Sequence, residues 1–272
     1  MILVGSWRFC VKLMVLASLC IAMLIVPAVQ AAPSTSVSVI RYANDCETIL
    51  NQKSYTYQQL EREFPVHGDG MTHYYFQGPT FNESDPWDPG EWQNVDTRDF
   101  GAVKGTDIKD LCEAVGGMSP GETVRFKATD GFQRDFSYEA VYGTDPRKGP
   151  MVLAWYNGEE SQGGYELQGE GYPDTGYYKG MRLFFFADTS GNTEGKHVFG
   201  HWDMHETLPE SDWYYYNGIW PSSGGLSVYN IDRILIYSDD DPVGGIQVTS
   251  VPDGARILLD GADTGEVTNI TL

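Results

Sequence analysis

The segment of residues 105–138 constrains the fold most, because local signals for a helix and for a hairpin follow one another within it. Four apolar residues recur there with helical spacing: Ile108, Leu111, Cys112 and Val115. Asp107 favours the start of this helix, and Gly116 and Gly117 supply the positive φ values that end one. The segment therefore predicts a short helix that begins near Asp107 and stops before Gly116.

A β-hairpin is predicted directly after this helix. Residues 123–128 alternate between polar and apolar side chains, which is the pattern of a strand with one buried face. Asp130-Gly131 is a typical hairpin turn, and residues 132–136 form the predicted second strand.

The first 31 residues have the features of a secretory signal peptide. Arg8 and Lys12 precede an apolar run over residues 13–26, and the small residues before Ala31 predict cleavage after it. The alternative is an uncleaved membrane anchor, although the run is shorter than the roughly 18–20 residues that span a bilayer. We expect a secreted or cell-surface protein that contacts a membrane only if this segment is retained.

The chain is strongly acidic, with 38 Asp and Glu residues against 18 Lys and Arg residues and a formal net charge of −20. Cleavage after Ala31 would remove Arg8 and Lys12 and make the net charge −22. Such a surface repels the phosphates of nucleic acids and the headgroups of anionic lipids. The composition therefore argues against nucleic acid as a partner and is typical of a soluble exported protein.

Five segments together resemble the oxidoreductase molybdopterin-binding domain, which has the sulfite-oxidase-like fold. In chain order they are residues 55–65 (YTYQQLEREFP), 105–116, 130–132, 180–186 (GMRLFFF) and 226–237. In the second of these segments the family has a helix of the form G-x-x-L-x-D-L-L-x-x-A-G that precedes a strand. The resemblance implies an α+β, sulfite-oxidase-like domain over residues 34–238.

Enzymes of this family hold molybdenum in a molybdopterin cofactor through one cysteine, which the resemblance would place within residues 67–80. That stretch, HGDGMTHYYFQGPT, contains no cysteine, and Cys46 and Cys112 lie outside it. Tyrosine and phenylalanine do not replace a soft thiolate ligand. We therefore expect a non-catalytic binding or interaction scaffold, while an extracellular molybdopterin-dependent oxidoreductase is the alternative that the family implies.

The C-terminal residues 246–272 have a second pattern, which follows an acidic, glycine-containing linker over residues 239–245. Alternating apolar residues with turns at 260–261 and 264–265 resemble, from Ile246 to Gly265, the PEGA domain, a small β-sandwich module of surface proteins. Because the family has further strands, the resemblance implies a partial all-β module. It also implies a methanogen-type archaeal cell envelope, with envelope components or other surface proteins as partners.

Two pairs of residues are candidates for covalent modification in an exported protein. Cys46 and Cys112 are the cysteines that remain beyond the signal peptide, and an oxidising compartment favours a disulfide between them. The alternative is that Cys112 is buried as a small apolar residue of the predicted helix. Asn82 and Asn269 stand in Asn-x-Ser/Thr tripeptides and are candidate N-glycosylation sites.

Histidines near the middle of the chain are candidate metal ligands. The residues concerned are His73, His197, His201, Asp203 and His205. Three of these histidines stand at i, i+4 and i+8, so that on a helix their imidazoles would share a face and bind Zn²⁺ or a similar metal. Gly200 disfavours a regular helix, and a packed loop of hydrogen-bonded histidines is the alternative.

Aromatic residues are frequent beyond the signal peptide. They include Trp87, Trp92, Trp155, Trp202, Trp213 and Trp220, and the runs Tyr177-Tyr178 and Tyr214-Tyr215-Tyr216. Carbohydrate-binding surfaces use such rings, because a ring face stacks on the C–H groups of a sugar. The alternative is that these rings anchor loops to the core. The sequence has no phosphate-binding loop and no Ser-His-Asp order, so hydrolase and kinase functions lack support.

Overall fold

The computed structural model describes residues 32–87, 95–159, 180–242, 247–268 and 270–271. The predicted signal peptide, Trp92, Tyr177-Tyr178 and Asn269 lie outside these ranges. Residues Pro33–Leu272 form one compact unit, to which every element below belongs. None of the helices in the described ranges is long and apolar enough to cross a membrane.

The described part of the chain is a mixed α+β structure, as the sequence predicts. Its α-helices are α1 (Tyr57–Glu63), α2 (Ile108–Glu113), α3 (Tyr138–Tyr142) and α4 (His201–Thr207). Its strands as far as the second sheet are β1 (Ser36–Tyr42), β2 (Ile49–Thr56), β3 (His73–Phe76), β4 (Asp99–Asp107), β5 (Thr123–Ala128), β6 (Gln133–Ser137), β7 (Met151–Glu159), β8 (Arg182–Phe185) and β9 (His197–Phe199). The later strands are β10 (Tyr215–Tyr216), β11 (Trp220–Pro221), β12 (Ile231–Tyr237), β13 (Gln247–Val248), β14 (Arg256–Leu259), β15 (Ala262–Val267) and β16 (Ile270–Thr271).

The first sheet has five strands in the order β2-β1-β12-β5-β6. The pair β1 and β12 is parallel, and the other pairs are antiparallel. Alternate side chains of β1 and β5 are buried, so one face of the sheet packs on the core. The predicted hairpin of β5 and β6 is confirmed, but its second strand begins at Gln133, and Phe132 is 50% exposed.

The second sheet also has five strands, in the order β8-β7-β4-β3-β9. The pair β3 and β9 is parallel, and the remaining pairs are antiparallel. Nearly every residue of β4 and β8 is buried, which is typical of a sheet covered on both faces. Helix α2 follows β4 directly and packs against β4 and β7.

Apolar side chains from both sheets meet in one core. The first sheet contributes Phe126 and Ile236, and the second contributes Phe76. Trp155 of β7 is fully buried, and its Nε1 donates to Oγ1 of Thr106 at 3.0 Å, which satisfies the polar atom of the ring. Each such burial stabilises the fold by about 1.5–3 kcal/mol, so this core is the main source of stability.

Side chains at the N-terminal ends of the short helices accept hydrogen bonds from backbone N–H groups of the first turn. The hydroxyl of Thr56 accepts the N–H of Gln59 at 3.3 Å, and the Gln59 side chain accepts the N–H of Thr56 at 2.9 Å. Asp107 accepts the N–H of Lys109 at 2.9 Å at the start of α2. After this helix the chain turns at Gly116, which has a φ of 113°. The predicted helix and its glycine stop are therefore confirmed.

The alternative of a packed loop around His201 and His205 is wrong, because both residues lie in α4. Gly200 has extended backbone angles, so it ends β9 and begins the helix. Its N–H donates to Oδ2 of Asp203 at 3.0 Å. A carboxylate in the first turn stabilises a helix start, which explains how the helix forms directly after a glycine.

The acidic start of the predicted linker is bonded to residues next to β1 and β5. Arg41 of β1 reaches Oδ2 of Asp240 at 2.7 Å and Oε1 of the buried Glu122 at 3.2 Å. The side chain of Asn44 donates to Oδ1 of Asp241 at 2.9 Å. This part of the segment therefore extends the packing around β1.

The C-terminal strands form two short antiparallel pairs, β13 with β16 and β14 with β15. The turn predicted at Asp260-Gly261 is confirmed, and both residues have positive φ. The turn predicted at Thr264-Gly265 is wrong, because both residues lie within β15. Gly265 has a φ of 77°, which suits the irregular register between β14 and β15 at this point.

Candidate functional site

The histidines predicted to bind a metal do not converge. His73 lies in β3 and pairs with Asp99, at 2.9 Å from Nδ1 to Oδ2. His197 lies in β9, and its Nδ1 is 2.7 Å from the carbonyl oxygen of Ala187. Because Gly200 separates β9 from α4, His197 does not share a helix face with His201 and His205. Within the described ranges no three His, Cys, Asp or Glu side chains are close enough to hold a metal ion.

His201 is fully buried at the start of α4. Among the described residues neither ring nitrogen has a hydrogen-bond partner, while the backbone N–H of His201 donates to Oε1 of Gln77 at 2.8 Å. Burial lowers the pKa of the imidazole to about 4, although the nearby carbonyl groups of Gln77, Pro86 and Gly78 favour the charged form. The ring is therefore neutral at physiological pH and belongs to the packing between α4 and the loop after β3.

Asp203 is buried, and its carboxylate is committed to an ion pair. Oδ1 lies 2.7 Å from Nε of Arg147 and 2.6 Å from a second nitrogen of the same guanidinium. Since Oδ2 accepts from Gly200, both oxygens already have partners. This carboxylate therefore joins α4 to the loop before β7 and is not open to a metal ion.

His205 lies between two indole rings. Its ring is 4.7 Å from Trp202 and nearly parallel to it, and 4.6 Å from Trp213 on the other side. Trp87 meets His205 edge-on at 4.8 Å, and Tyr215 is 5.8 Å from Trp87. We call these five residues the indole cluster. The tryptophans of this cluster anchor a loop, as the sequence allows: they hold the loop after β3 against α4.

The segment in which the resemblance would place a molybdenum-binding cysteine, residues 67–80, contains one strand of the second sheet. Strand β3 lies in this segment between β4 and β9, and the N–H of Gln77 donates to Oγ of Ser223 at 3.0 Å. The candidate disulfide is not formed, because Cys46 is exposed and Cys112 is buried, each as a free thiol. Burial raises the pKa of Cys112, which keeps this thiol protonated. The described residues therefore do not fit a molybdopterin cofactor.

A set of mostly buried polar residues connects β3, β4 and β7. Asp99 is fully buried and accepts from the N–H of Gly101 at 2.9 Å as well as from His73. Burial, together with the charge of Asp99, raises the pKa of Tyr75. Asn157 is buried on the adjacent strand, close to Gly101. Because these groups are largely buried, we assign them to holding the three strands together.

One group of exposed apolar residues lies at the hairpin of β10 and β11, and others lie elsewhere, among them Val251, Leu258 and Leu259 near the C-terminal strands. Tyr216 is 41% exposed and pairs with Trp220 across the hairpin, and Ile219 in the loop between them is 66% exposed. Phe81 is 59% exposed and meets the rings of Tyr216 and Trp220 edge-on at 6.0 and 5.8 Å. We call these four residues the hairpin patch. Contiguous apolar surface of this kind marks a site of interaction.

Phe81 adopts a backbone conformation that bulky residues rarely take, with a φ of 55°. A non-glycine residue in the left-handed region costs on the order of 1 kcal/mol, which the surrounding structure must offset. This conformation places the ring of Phe81 against the hairpin, which is more than 130 positions later in the sequence. Sequence reasoning missed Phe81, because an isolated phenylalanine in a loop carries no periodic signal.

The two faces of the hairpin differ in burial. Tyr215 belongs to the indole cluster and is half-buried, whereas the next residue, Tyr216, lies in the exposed patch. Successive residues of a strand point to opposite faces, so one face anchors the hairpin and the other is presented to solvent. The patch is therefore an exposed aromatic surface on a well-anchored support.

No family model matches the chain, and a comparison with curated proteins gives no match either. The assignment of a function therefore depends on the geometry of the hairpin patch and on the sequence signals for export.

Proposed function

We propose that the chain is an exported, non-catalytic binding protein of the cell surface, whose hairpin patch contacts carbohydrate of the cell envelope. In this proposal residues 34–238 have a sulfite-oxidase-like fold and residues 246–272 belong to a PEGA-like module. The mixed α+β architecture and the confirmed turn at Asp260-Gly261 support these assignments without distinguishing them from other α+β and all-β folds. The export signal in the sequence supports the location.

The exposed rings of Phe81 and Tyr216, together with the half-buried ring of Trp220, are the observation that carries the proposal. Phenyl and indole faces stack on the apolar C–H face of a sugar ring, and the phenol hydroxyl of Tyr216 adds a hydrogen bond. The net charge of −20 disfavours polyanions, so a neutral polysaccharide fits best. An anchored hairpin also avoids most of the entropy that a flexible loop would lose on binding.

Affinity electrophoresis of the full chain tests this function. The protein, produced in a bacterial host without N-glycosylation, is run through gels that contain glycol chitin, hydroxyethyl cellulose or heparin. We expect retardation by a neutral polymer and none by heparin. Tyr216→Ala weakens retardation about fivefold, because a lost stacking contact is worth about 1 kcal/mol.

Phe132→Ala is the matched control, because Phe132 is 50% exposed beside a different hairpin turn. This variant removes a similar amount of exposed aromatic surface outside the hairpin patch and should migrate like the wild type. Equal retardation of the wild type, Tyr216→Ala and Phe132→Ala by every polymer would refute the proposed surface.

A further inference from the structure

The tripeptide Asn82-Glu83-Ser84 forms a tight turn at the edge of the hairpin patch. Oδ1 of Asn82 accepts the hydroxyl of Ser84 at 2.7 Å and the backbone N–H of Ser84 at 3.1 Å. The carbonyl oxygen of Asn82 accepts the N–H of Asp85 at 3.3 Å, which closes the turn. Glu83 and Ser84 are exposed and Asn82 is half-buried, so an enzyme can approach the amide.

This contact joins the two side chains that define an Asn-x-Ser/Thr acceptor tripeptide. A hydroxyl that donates to Oδ1 makes the Nδ2 protons more acidic, so that a base can remove one of them as Nδ2 becomes the nucleophile. The second tripeptide of the chain differs, because Ile270 and Thr271 are paired in β16 with β13. A strand in a ladder is a poorer substrate than an exposed turn.

The geometry points to Asn82 as an N-glycosylation site whose glycan lies against Phe81 and covers part of the hairpin patch. The inference rests on the export that the proposed function includes. Nδ2 attacks the anomeric carbon of an oligosaccharide carried on a lipid diphosphate. The new C–N bond replaces the C–O bond to phosphate, the lipid diphosphate leaves, and a base accepts the proton from Nδ2.

Covalent attachment explains what occupies the exposed ring of Phe81. The residue directly precedes Asn82, and its left-handed φ of 55° goes together with a ring that is 59% exposed. A sugar linked to the next side chain is held beside this ring at high effective concentration. The attached glycan and an external polysaccharide therefore compete for the same aromatic surface.

Mass spectrometry of the full chain secreted from a eukaryotic host with N-glycosylation tests the site. We expect a glycan on the peptide that contains Asn82, retained in Ser84→Thr and absent in Asn82→Gln and Ser84→Ala. Ser190→Ala is the control, because Ser190 donates to Oδ1 of Asp188 at 2.6 Å in a turn of the same kind without the amide. An unmodified Asn82 in the secreted wild type would overturn the assignment.

Polysaccharide binding by the same secreted proteins tests the shielding. Asn82→Gln should bind the neutral polymer about threefold or more tightly than the glycosylated wild type, because a covered patch is available for only part of the time. Equal affinities of the two proteins would overturn the contact with Phe81. If Asn82→Gln binds no polymer while the wild type carries the glycan, the proposed function fails and the modification site stands.

Discussion

Lowering the pH from 7.5 to 5 will destabilise the protein through His201. The pKa of this buried imidazole is about 4 in the folded state, against 6.5 for an unperturbed histidine. Between these values the unfolded chain binds a proton that the folded chain excludes, so stability is lost as the pH falls below 6.5. Linkage gives a loss of about 2 kcal/mol at pH 5 and about 3 kcal/mol below pH 4.

Urea unfolding of the wild type and of His201→Phe at pH 7.5, 6.5 and 5 measures this loss of stability. The substitution removes the titrating group and keeps an aromatic ring, so the unfolding free energy of the wild type relative to the variant should fall by about 2 kcal/mol from pH 7.5 to pH 5. His67→Gln, which changes a partly exposed histidine, is the control for the loss of a histidine as such. Parallel pH profiles of the wild type and His201→Phe would refute the reasoning.

Two further predictions concern buried polar groups. Arg41→Ala should lower the free energy of unfolding by about 3 kcal/mol, because it removes the cation beside the buried carboxylate of Glu122 and leaves only the backbone N–H groups of Ser119 and Asp239 as its partners. Arg62→Ala removes an exposed pair and should cost less than about 1 kcal/mol in the same urea titration. Iodoacetamide should label Cys46 in the native protein and label Cys112 only after unfolding; rapid native labelling of both would contradict the assigned burial.

The local elements could be predicted from the sequence because their signals are short-range. Helix α2 with its glycine stop and the β5–β6 hairpin each follow from periodicity and turn chemistry within about ten residues. The order of the strands within the sheets could not be predicted. Strands β1 and β12 are paired although most of the sequence lies between them, and no local signal specifies a partner. Composition and turns fix the class of fold more readily than its topology.

The candidate sites were harder to predict than the fold. A spacing of four residues between His197 and His201 favours a shared helix face only if the helix is continuous, and Gly200 changes the chain from strand to helix between them. The hairpin patch depends on Phe81 meeting Tyr216 and Trp220, which are distant in the sequence. The aromatic residues were visible in the sequence, but their division into an anchoring cluster and an exposed patch was not.

The most direct test of the binding function is a sedimentation isotherm of the full chain on insoluble chitin and cellulose. The unglycosylated wild type should bind at least one polymer, and the double variant Tyr216→Ala/Trp220→Ala should bind it at least about tenfold more weakly. Circular dichroism of both proteins controls for the fold. Binding of neither polymer by the wild type, or equal isotherms for the wild type and the double variant, would contradict the account.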